Sequence, residues 1–270
     1  MLIDHHCHID RPEFAHDRDG VVERAHAAGV GAMINISTRI RRIAEVVEMA
    51  EAYPHVFGSV GTHPHNAHEE LDITAAEIVR LSKHPKIVAI GEAGLDYFYK
   101  HSTPAAQEEG FRNHIQAARE TGLPLEIHTR DADADTIAIL EDEYAKGAFP
   151  AVLHCFTGGR ELAMRAVELG LYVSFSGVVS FKKSDALRAI ANEVPLDCVL
   201  IETDAPFLAP DPFRGKTNEP AYVVHTAKAL AASRGIPFDA FAKATTDNFF
   251  RLYTKVDRKA VEAAAGQSGA

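Results

Sequence analysis

Two histidines near the start of the chain have a spacing that suits metal ligands. Leu2 and Ile3 begin an apolar run that leads into His6 and His8. Side chains two residues apart on a β-strand point to the same face, so both imidazoles are expected to project together from a strand end. Such a pair can form half of a site for a divalent metal, or it can be two ordinary surface histidines. The rest of the chain decides between these readings.

Further residues of metal-ligand type stand at the ends of four later apolar runs. They are Glu92, His128, His154 and Asp204. Any one of them could be an ordinary polar residue at the point where a strand leaves the core. Five strand ends that all carry ligand types are better explained by one functional site.

The elements that would position these residues alternate regularly along the chain. Eight short runs rich in Val, Ile and Leu are predicted as strands, at 2–6, 30–37, 56–63, 87–92, 123–128, 151–154, 171–176 and 199–204. Amphipathic segments between and after them are predicted as helices, among them 40–52, 74–82, 107–121, 133–144, 161–169, 184–192, 221–234 and 239–253. Apolar strands that alternate with helices indicate a parallel sheet buried on both faces. Eight such units predict a single (β/α)8 TIM barrel over residues 1–256, with a C-terminal tail over 257–270.

A barrel of this kind has its active site at the C-terminal ends of the strands, where the ligand types occur. The first and eighth strands are neighbours in a closed barrel, so one ion is predicted on His6, His8, Glu92 and Asp204. The second ion is predicted on Glu92, His128, His154 and water. Glu92 would then bridge two ions about 4 Å apart, an arrangement that serves displacement at phosphorus. Imidazole-rich ligand sets suit Zn, Mn, Co or Fe better than Mg, and the choice among Zn, Mn, Co and Mg stays open.

Composition limits the possible partners and compartments. The chain has 270 residues and a formal net charge of -10, which argues against broad, nonspecific coating of nucleic acid. It leaves room for a local site that holds a few phosphates. No apolar run approaches the ~20 residues of a membrane span, and the N-terminus lacks a signal-peptide pattern. Three scattered cysteines favour a reducing cytoplasm. We expect a cytoplasmic protein with no membrane partner, as a monomer or weak oligomer.

Cationic and aromatic residues after several strands could bind a substrate. His65, Arg130, Arg214 and Lys216 are candidates for phosphate binding, because a guanidinium or imidazole beside the metals could hold a phosphodiester. The alternatives are packing for the histidine and structural salt bridges for the cations. The aromatic residues at 97–99 could stack on bases of a single strand or simply pack a long loop.

The motifs together resemble a known family. They are His6-Cys7-His8, Gly91-Glu92-Ala93-Gly94-Leu95-Asp96-Tyr97, Ile127-His128-Thr129-Arg130, His154-Cys155-Phe156-Thr157-Gly158, Glu202-Thr203-Asp204-Ala205-Pro206 and Arg214-Gly215-Lys216-Thr217-Asn218-Glu219-Pro220. In order and content they look like the TatD family of metal-dependent hydrolases, in the amidohydrolase superfamily. The resemblance runs from residue 2 to about residue 253. It implies a hydrolase that acts on ester bonds, two divalent metals on the ligand set given above, and DNase activity, often as a 3′→5′ exonuclease.

Three functions compete at this stage. The first is a phosphodiesterase that acts on DNA, single-stranded or from a free 3′ end, with Glu92 and Asp204 as catalytic carboxylates and Asp204 as the general base. The second is a D-aminoacyl-tRNA deacylase, because some members of the family are linked to ester hydrolysis on tRNA. The third is a metal-binding partner protein without catalysis. The full set of ligand types and the nearby cations favour the enzymes.

Two positions stand apart from this pattern. Glu126 lies two residues before His128 and should face the barrel interior, where relatives usually carry an aliphatic residue. A buried carboxylate needs a partner, so Glu126 either orients a metal-binding histidine or lies lower in a polar layer of the barrel. His5 and His114, with most of the other histidines, are expected on the surface or on helix faces.

Overall fold

The computed structural model describes residues 1–267, with side chains through residue 265. Eight parallel strands form one sheet in chain order. They are β1 (Leu2–Cys7), β2 (Val30–Asn35), β3 (Val56–Val60), β4 (Ile87–Asp96), β5 (Leu125–Arg130), β6 (Ala151–Leu153), β7 (Tyr172–Phe175) and β8 (Val199–Ile201). All eight predicted strands are therefore confirmed.

Helices follow the strands on the outside of the sheet. Within the described residues they are α1 (Arg18–Ala27), α2 (Ile43–Ala52), α3 (Ala75–Leu81), α4 (Pro104–Thr121), α5 (Asp133–Lys146), α6 (Arg160–Glu168), α7 (Asp185–Glu193), α8 (Val223–Arg234), α9 (Phe238–Leu252) and α10 (Arg258–Gln267). The predicted helices correspond to α2 through α9, with ends that differ by a few residues. None of the helices in this part of the chain is long and apolar enough to cross a membrane.

The first and last strands close the sheet into a barrel. A parallel bridge joins Cys7 to Ala205, just after β8. The backbone N–H of Asp204 donates to the carbonyl of His6 at 2.9 Å, and that of His8 donates to the carbonyl of Ala205 at 2.8 Å. The prediction of a single (β/α)8 TIM barrel is confirmed. The closing bonds also hold Asp204 beside His6 and His8.

Local sequence explains where the helices begin and end. In α4 the Thr103 side chain accepts a hydrogen bond from the Ala106 backbone N–H, and Pro104 occupies the first turn. Gly122 ends this helix in the left-handed region at φ 69°, a conformation that costs glycine little. Gly29 and Gly170, at φ 86° and 81°, follow α1 and α6 in the same way and come just before β2 and β7.

The core has two parts. A large apolar cluster fills the space between the strands and the surrounding helices. A second cluster joins the strand starts, including Ile3 and Leu200, to Phe249 and Tyr253 at the end of α9. This second cluster closes the barrel at the end opposite the predicted ligands. Val261 of α10 is buried in it as well, within the predicted tail over 257–270; residues 268–270 of that tail lie outside the described part of the chain.

Strand β4 is longer than its apolar run predicted. It continues beyond Glu92 to Asp96 and pairs with β5 along this extension, where Gly94 is the partner of His128. Gly94 has a φ of 144°, and a Cβ there would lie 2.0 Å from the carbonyl oxygen of His128. The glycine therefore permits the close approach that brings Asp96 to the end of β5.

His114 of α4 ties this helix to the segment after β3. Its Nε2 accepts the Thr62 backbone N–H at 3.0 Å, and its Nδ1 lies 2.7 Å from the Gly110 carbonyl. His114 lies on a helix, as one of the two expected readings had it, but it faces the interior and is buried. Burial lowers the pKa of His114 to about 4. The neutral ring is needed because only an unprotonated nitrogen can accept from Thr62.

We predict that His114 makes an acid-sensitive contribution to the stability of the fold. Because the folded-state pKa is lowered, the contribution is complete above the unfolded value near 6.5 and is lost as the pH falls through about 4. The shift corresponds to about 3 kcal/mol. We expect the free energy of unfolding of a His114→Gln variant, measured with urea from pH 7 to pH 4, to fall less over this window than that of the wild type. If the free energies of unfolding of the two proteins fell equally with pH, His114 would not be the source of the acid sensitivity.

Candidate metal centre

Glu92 lies at the centre of the residues predicted as ligands. Its Oε2 atom is 3.5 Å from Nε2 of His6, while its Oε1 atom is 2.9 Å from Nδ1 of His128 and 2.8 Å from Nε2 of His154. The side chain is 3% exposed. One oxygen therefore faces the β1 histidine and the other faces the histidines of β5 and β6, as a bridging carboxylate would.

The first group of ligand types collects around the Oε2 side of Glu92. Nε2 of His8 lies 3.5 Å from Oδ1 of Asp204 and 4.0 Å from Oε2 of Glu92. Nε2 of His6 lies 3.9 Å from the same Asp204 oxygen. His6, His8 and Glu92 present their atoms within 4.8 Å of one another, a spread that one ion can span. Asp204 remains 15% exposed toward the cleft above.

The second group contains a histidine that the sequence analysis did not place among the ligands. His63 follows β3, and its Nε2 lies 3.3 Å from Oε1 of Glu92. His63, Glu92 and His128 form another group whose atoms fall within 4.8 Å. The available signal was the segment Thr62-His63-Pro64-His65 at the third strand end, but its functional role was assigned to His65. The structure brings all six predicted ligands together, with His63 beside them.

The donor set fits a divalent metal. His6 Nδ1 lies 3.2 Å from a Glu126 oxygen, while His6 Nε2 is buried without a hydrogen-bond partner among the described atoms and faces Glu92 and Asp204. A buried ring nitrogen without a partner is unfavourable unless something binds it. Several imidazoles with two carboxylates are a ligand set for Zn, Mn, Co or Fe.

Electrostatics favours an ionised carboxylate at the centre. Burial by itself would raise the pKa of Glu92, but the adjacent His154 and His128 help to hold that pKa well below its usual range. Burial lowers the pKa of His63 well below its ordinary value, so its ring is neutral and has a lone pair to offer. An ionised Glu92 beside a neutral His63 matches what metal binding requires. Burial would lower the pKa values of His6, His128 and His154, but the nearby carboxylates outweigh it and raise them, so metal binding there would release protons.

Asp96 is another carboxylate at the site, and the sequence analysis did not assign it a role. Its Oδ2 lies 2.9 Å from Nε2 of His65 and 3.1 Å from Nε2 of His128, and its Oδ1 accepts the backbone N–H groups of Phe98 and Tyr99. Burial would raise its pKa, but these hydrogen bonds lower it further than burial raises it. Asp96 therefore fixes both rings and the start of the loop at 97–99. It was missed because the predicted strand ended at Glu92.

Glu126 contacts a ligand histidine and also a residue expected at the surface. Its Oε2 lies 3.2 Å from Nδ1 of His6, and its Oε1 lies 3.2 Å from Nδ1 of His5. The surface expectation for His5 was wrong, since this residue is 1% exposed. Simple alternation would turn His5 away from His6, but the pairing register of β1 shifts between Asp4 and Cys7. The irregularity lets both rings meet Glu126.

Above these residues lies a cleft of about 600 Å³. His65 and Arg130 line it, whereas Arg214 and Lys216 are not among its lining residues. The Arg130 guanidinium stacks over the rings of Phe98 at 4.1 Å and Tyr99 at 4.9 Å. Arg214 and Lys216 are exposed on the loop after β8, where Arg214 covers Phe181 at 4.3 Å and Lys216 lies 5.8 Å from the Phe213 ring. The four predicted substrate contacts thus divide into two in the cleft and two outside it.

Comparison with known proteins identifies a family, relatives and a solved structure that resemble this chain. Residues 3–254 match the family model described as TatD related DNase. The chain is 41% identical over 253 residues to the metal-dependent hydrolase YabD of Bacillus subtilis, covering 94% of this chain and 99% of that one. It is 37% identical over 257 residues to the 3′-5′ ssDNA/RNA exonuclease TatD of Citrobacter rodentium, covering 93% and 97%. The crystal structure of the TatD homologue YJJV from Escherichia coli superposes with a TM-score of 0.86 at 29% identity, covering 94% of this chain and 98% of that one.

The barrel and its histidine–carboxylate cluster define a metal-dependent hydrolase. Since the family model covers nearly the whole chain and relatives exceed 30% identity over almost their full length, the protein belongs to the TatD family. The family resemblance drawn from the motifs is confirmed.

We predict that metal binding stabilises the folded protein by a measurable amount. A ligand that binds only the folded state at a hundredfold excess over its Kd stabilises it by about 2.7 kcal/mol, or about 5 to 10 °C in Tm for a chain of this size. We expect Mn²⁺ or Zn²⁺ to raise the Tm of chelator-stripped protein to this extent in a calorimetric scan.

A matched pair of variants tests where the ion binds. Glu92→Gln should lose the metal-dependent rise in Tm, because the bridging charge is gone. Glu143→Gln also changes a buried glutamate, but one that pairs with Arg112, Arg119 and Lys146 between α4 and α5, so its rise should remain. An equal rise in both variants would contradict the assignment of Glu92.

Proposed function

We propose that this protein hydrolyses phosphodiester bonds of DNA, as a 3′→5′ exodeoxyribonuclease on single strands or free 3′ ends. One observation carries the proposal: the histidine–carboxylate cluster lies at the base of a cleft whose walls pair arginines with exposed aromatic rings. Cations beside aromatic faces are the chemistry that binds a phosphodiester chain and its bases. The exonuclease name of the Citrobacter rodentium relative points the same way.

Two divalent ions would be held by the two groups of ligands. His6, His8, Glu92 and Asp204 would hold one, and Glu92, His128 and His154 the other, with His63 close enough to contribute. When bound, such ions lower the pKa of water and neutralise the charge that develops on phosphate oxygens. Glu92 keeps the two groups in register, because each of its oxygens faces one of them.

Asp204 is the carboxylate best placed to accept a proton. Glu92 is enclosed by histidines, whereas Asp204 is 15% exposed and lines the cleft, and its ion-pair neighbours among the described residues are His6 and His8. A water that attacks phosphorus from the base of the cleft would give its proton to Asp204. The closing hydrogen bond from Asp204 N–H to His6 holds this carboxylate at the site.

Arg130 and His65 are proposed to bind the phosphate that carries the scissile bond. Arg130 is exposed on the cleft wall, and its guanidinium faces Phe98 and Tyr99 instead of a carboxylate, so its donors are available to a phosphate. His65 is held by Asp96 at 2.9 Å and lines the same cleft. Asp96 therefore presets the ring that would meet the substrate.

The aromatic rings give a reason for preferring single strands. Tyr99 is 50% exposed on one wall, and Phe98, 52% exposed, lies beside it with ring centroids 4.8 Å apart. Phe207 is 43% exposed on another wall, with the Arg11 guanidinium 4.9 Å from its ring. Exposed rings of this kind can stack on unpaired bases, which a duplex does not offer. Arg214 and Lys216, outside the cleft, would meet only the part of a longer strand that leaves it.

One experiment separates this function from ester hydrolysis on tRNA. Metal-loaded protein is incubated with a 3′-labelled DNA single strand and, separately, with D-aminoacyl-tRNA. Release of labelled mononucleotides from the DNA, with the tRNA ester intact, is the expected result. Loss of the amino acid with the DNA intact would replace the proposed function with the deacylase.

The role of Asp204 predicts a catalytic defect. Asn keeps the size and one oxygen of Asp but cannot take up the proton, so Asp204→Asn should lower kcat by about 10²–10⁴-fold. Metal content is measured on the same sample, because the substitution can also weaken an ion. A variant that retains its metal and the wild-type kcat would show that another group is the base.

The role of Arg130 predicts weaker substrate binding. A charge-assisted contact is worth about 1.5–3 kcal/mol, so Arg130→Ala should raise KM about tenfold or more on DNA and leave metal content unchanged. Arg251→Ala is the matched control, because Arg251 contacts the Asp197 carbonyl near the start of β8, at the opposite end of the barrel. A neutral ester substrate should be affected far less than DNA. Equal losses on both substrates would indicate a structural role for Arg130.

A further inference from the structure

We infer that Glu126, His5 and Tyr253 form a buried support beneath the metal centre that holds His6 in its metal-binding orientation, and that His5 extends this support to His154 through Glu202. This inference rests on the metal site proposed above. All six of these side chains are at most 4% exposed.

Glu126 contacts His6 directly. Oε2 of Glu126 lies 3.2 Å from Nδ1 of His6, while Nε2 of the same ring faces Glu92 and Asp204. A carboxylate that accepts the Nδ1 proton leaves the lone pair on Nε2, where a metal would bind. Such a partner fixes both the tautomer and the angle of the ring.

Glu126 is itself held in place by two further side chains. The hydroxyl of Tyr253 donates to Oε1, and Nδ1 of His5 lies 3.2 Å from the same oxygen. Each carboxylate oxygen thus has a fixed neighbour, and the side chain is fully buried. A buried carboxylate with these partners has little freedom to rotate, so its contact with His6 has a fixed direction.

His5 and Glu202 link this support to the other histidine group. On its far side, Nε2 of His5 lies 2.6 Å from the Ser174 hydroxyl and 3.3 Å from Oε2 of Glu202. Oε1 of Glu202 in turn lies 3.2 Å from Nδ1 of His154. One chain of contacts therefore reaches both His6 and His154, whose rings stack with centroids 3.8 Å apart.

Tyr253 connects the support to the C-terminal part of the fold. It comes just after α9, and its ring stacks on Phe249 at 4.5 Å in the cluster that closes the barrel at the strand starts. From there its hydroxyl reaches Glu126 and also lies 3.0 Å from Nδ1 of His5. Packing of the last helices thereby fixes a hydrogen-bond donor under the metal site.

Metal affinity without substrate is the direct test. Glu126→Gln keeps size and polarity but loses the charge that orients His6. We expect its affinity for Co²⁺, measured by competition with a chelating dye, to fall about 10–100-fold, with an altered visible spectrum of bound Co²⁺. Glu143→Gln, a buried glutamate away from the barrel interior, is the matched control and should bind Co²⁺ as the wild type does, with an unchanged spectrum.

A double-mutant cycle tests the chain of contacts. Tyr253→Phe removes only the hydroxyl and keeps the stacking on Phe249, so the fold is expected to remain even if Glu126→Gln folds poorly. It should weaken Co²⁺ binding in the wild-type background and cause no further loss in the Glu126→Gln background, because Tyr253 acts through Glu126. His5→Asn should also weaken Co²⁺ binding.

The outcomes separate this inference from the proposed function. Wild-type Co²⁺ affinity and spectrum in both Glu126→Gln and Tyr253→Phe would overturn the support, as would an equal loss of affinity in Glu143→Gln. Wild-type protein that binds no divalent ion would overturn the metal site and the support together. Wild-type protein that binds Co²⁺ but leaves DNA intact would defeat the nuclease proposal alone, because affinity is measured without substrate.

Discussion

The site depends on one buried charge, the carboxylate of Glu92. An ionised carboxylate removed from water costs several kcal/mol unless close partners compensate it. Here the partners are imidazoles from separate strand ends, with His128 and His154 within 2.9 Å of one oxygen and His6 at 3.5 Å from the other. Strand ends that are distant in sequence must therefore meet around the Glu92 carboxylate. The cluster that would hold metal ions is the same cluster that compensates this charge.

The barrel makes this convergence possible and then reinforces it from two sides. Above, Asp96 extends β4 to fix His65 and His128. Below, Glu126 contacts His6 in the barrel interior, where an aliphatic residue would contribute only packing. His6 and His128 are thus each restrained by a carboxylate that does not itself lie in the two predicted ligand groups. Such restraint is what a preorganised catalytic site requires, because a ring that has to search for its orientation binds metal less tightly.

Much of the architecture was predictable because it rests on short-range patterns. Apolar runs of four to eight residues marked all eight strands. The predicted ligands follow from the same reasoning, since polar residues at the C-terminal ends of barrel strands must meet at one rim. The extension of β4 was not predictable in this way, because Gly94 permits a close approach to β5 that no apolar run announces.

The sequence by itself determined the kind of fold and the residue types at the rim, since a strand's two-residue period and its order in a closed barrel need no further information. Only the tertiary structure decided which side chains meet. Simple alternation turned His5 away from the site, but a shift in the β1 register brought it to Glu126. Tyr253 lies 127 residues from Glu126, and Glu202 lies 48 residues from His154. Contacts over such separations depend on how helices and strands pack, which local spacing does not encode.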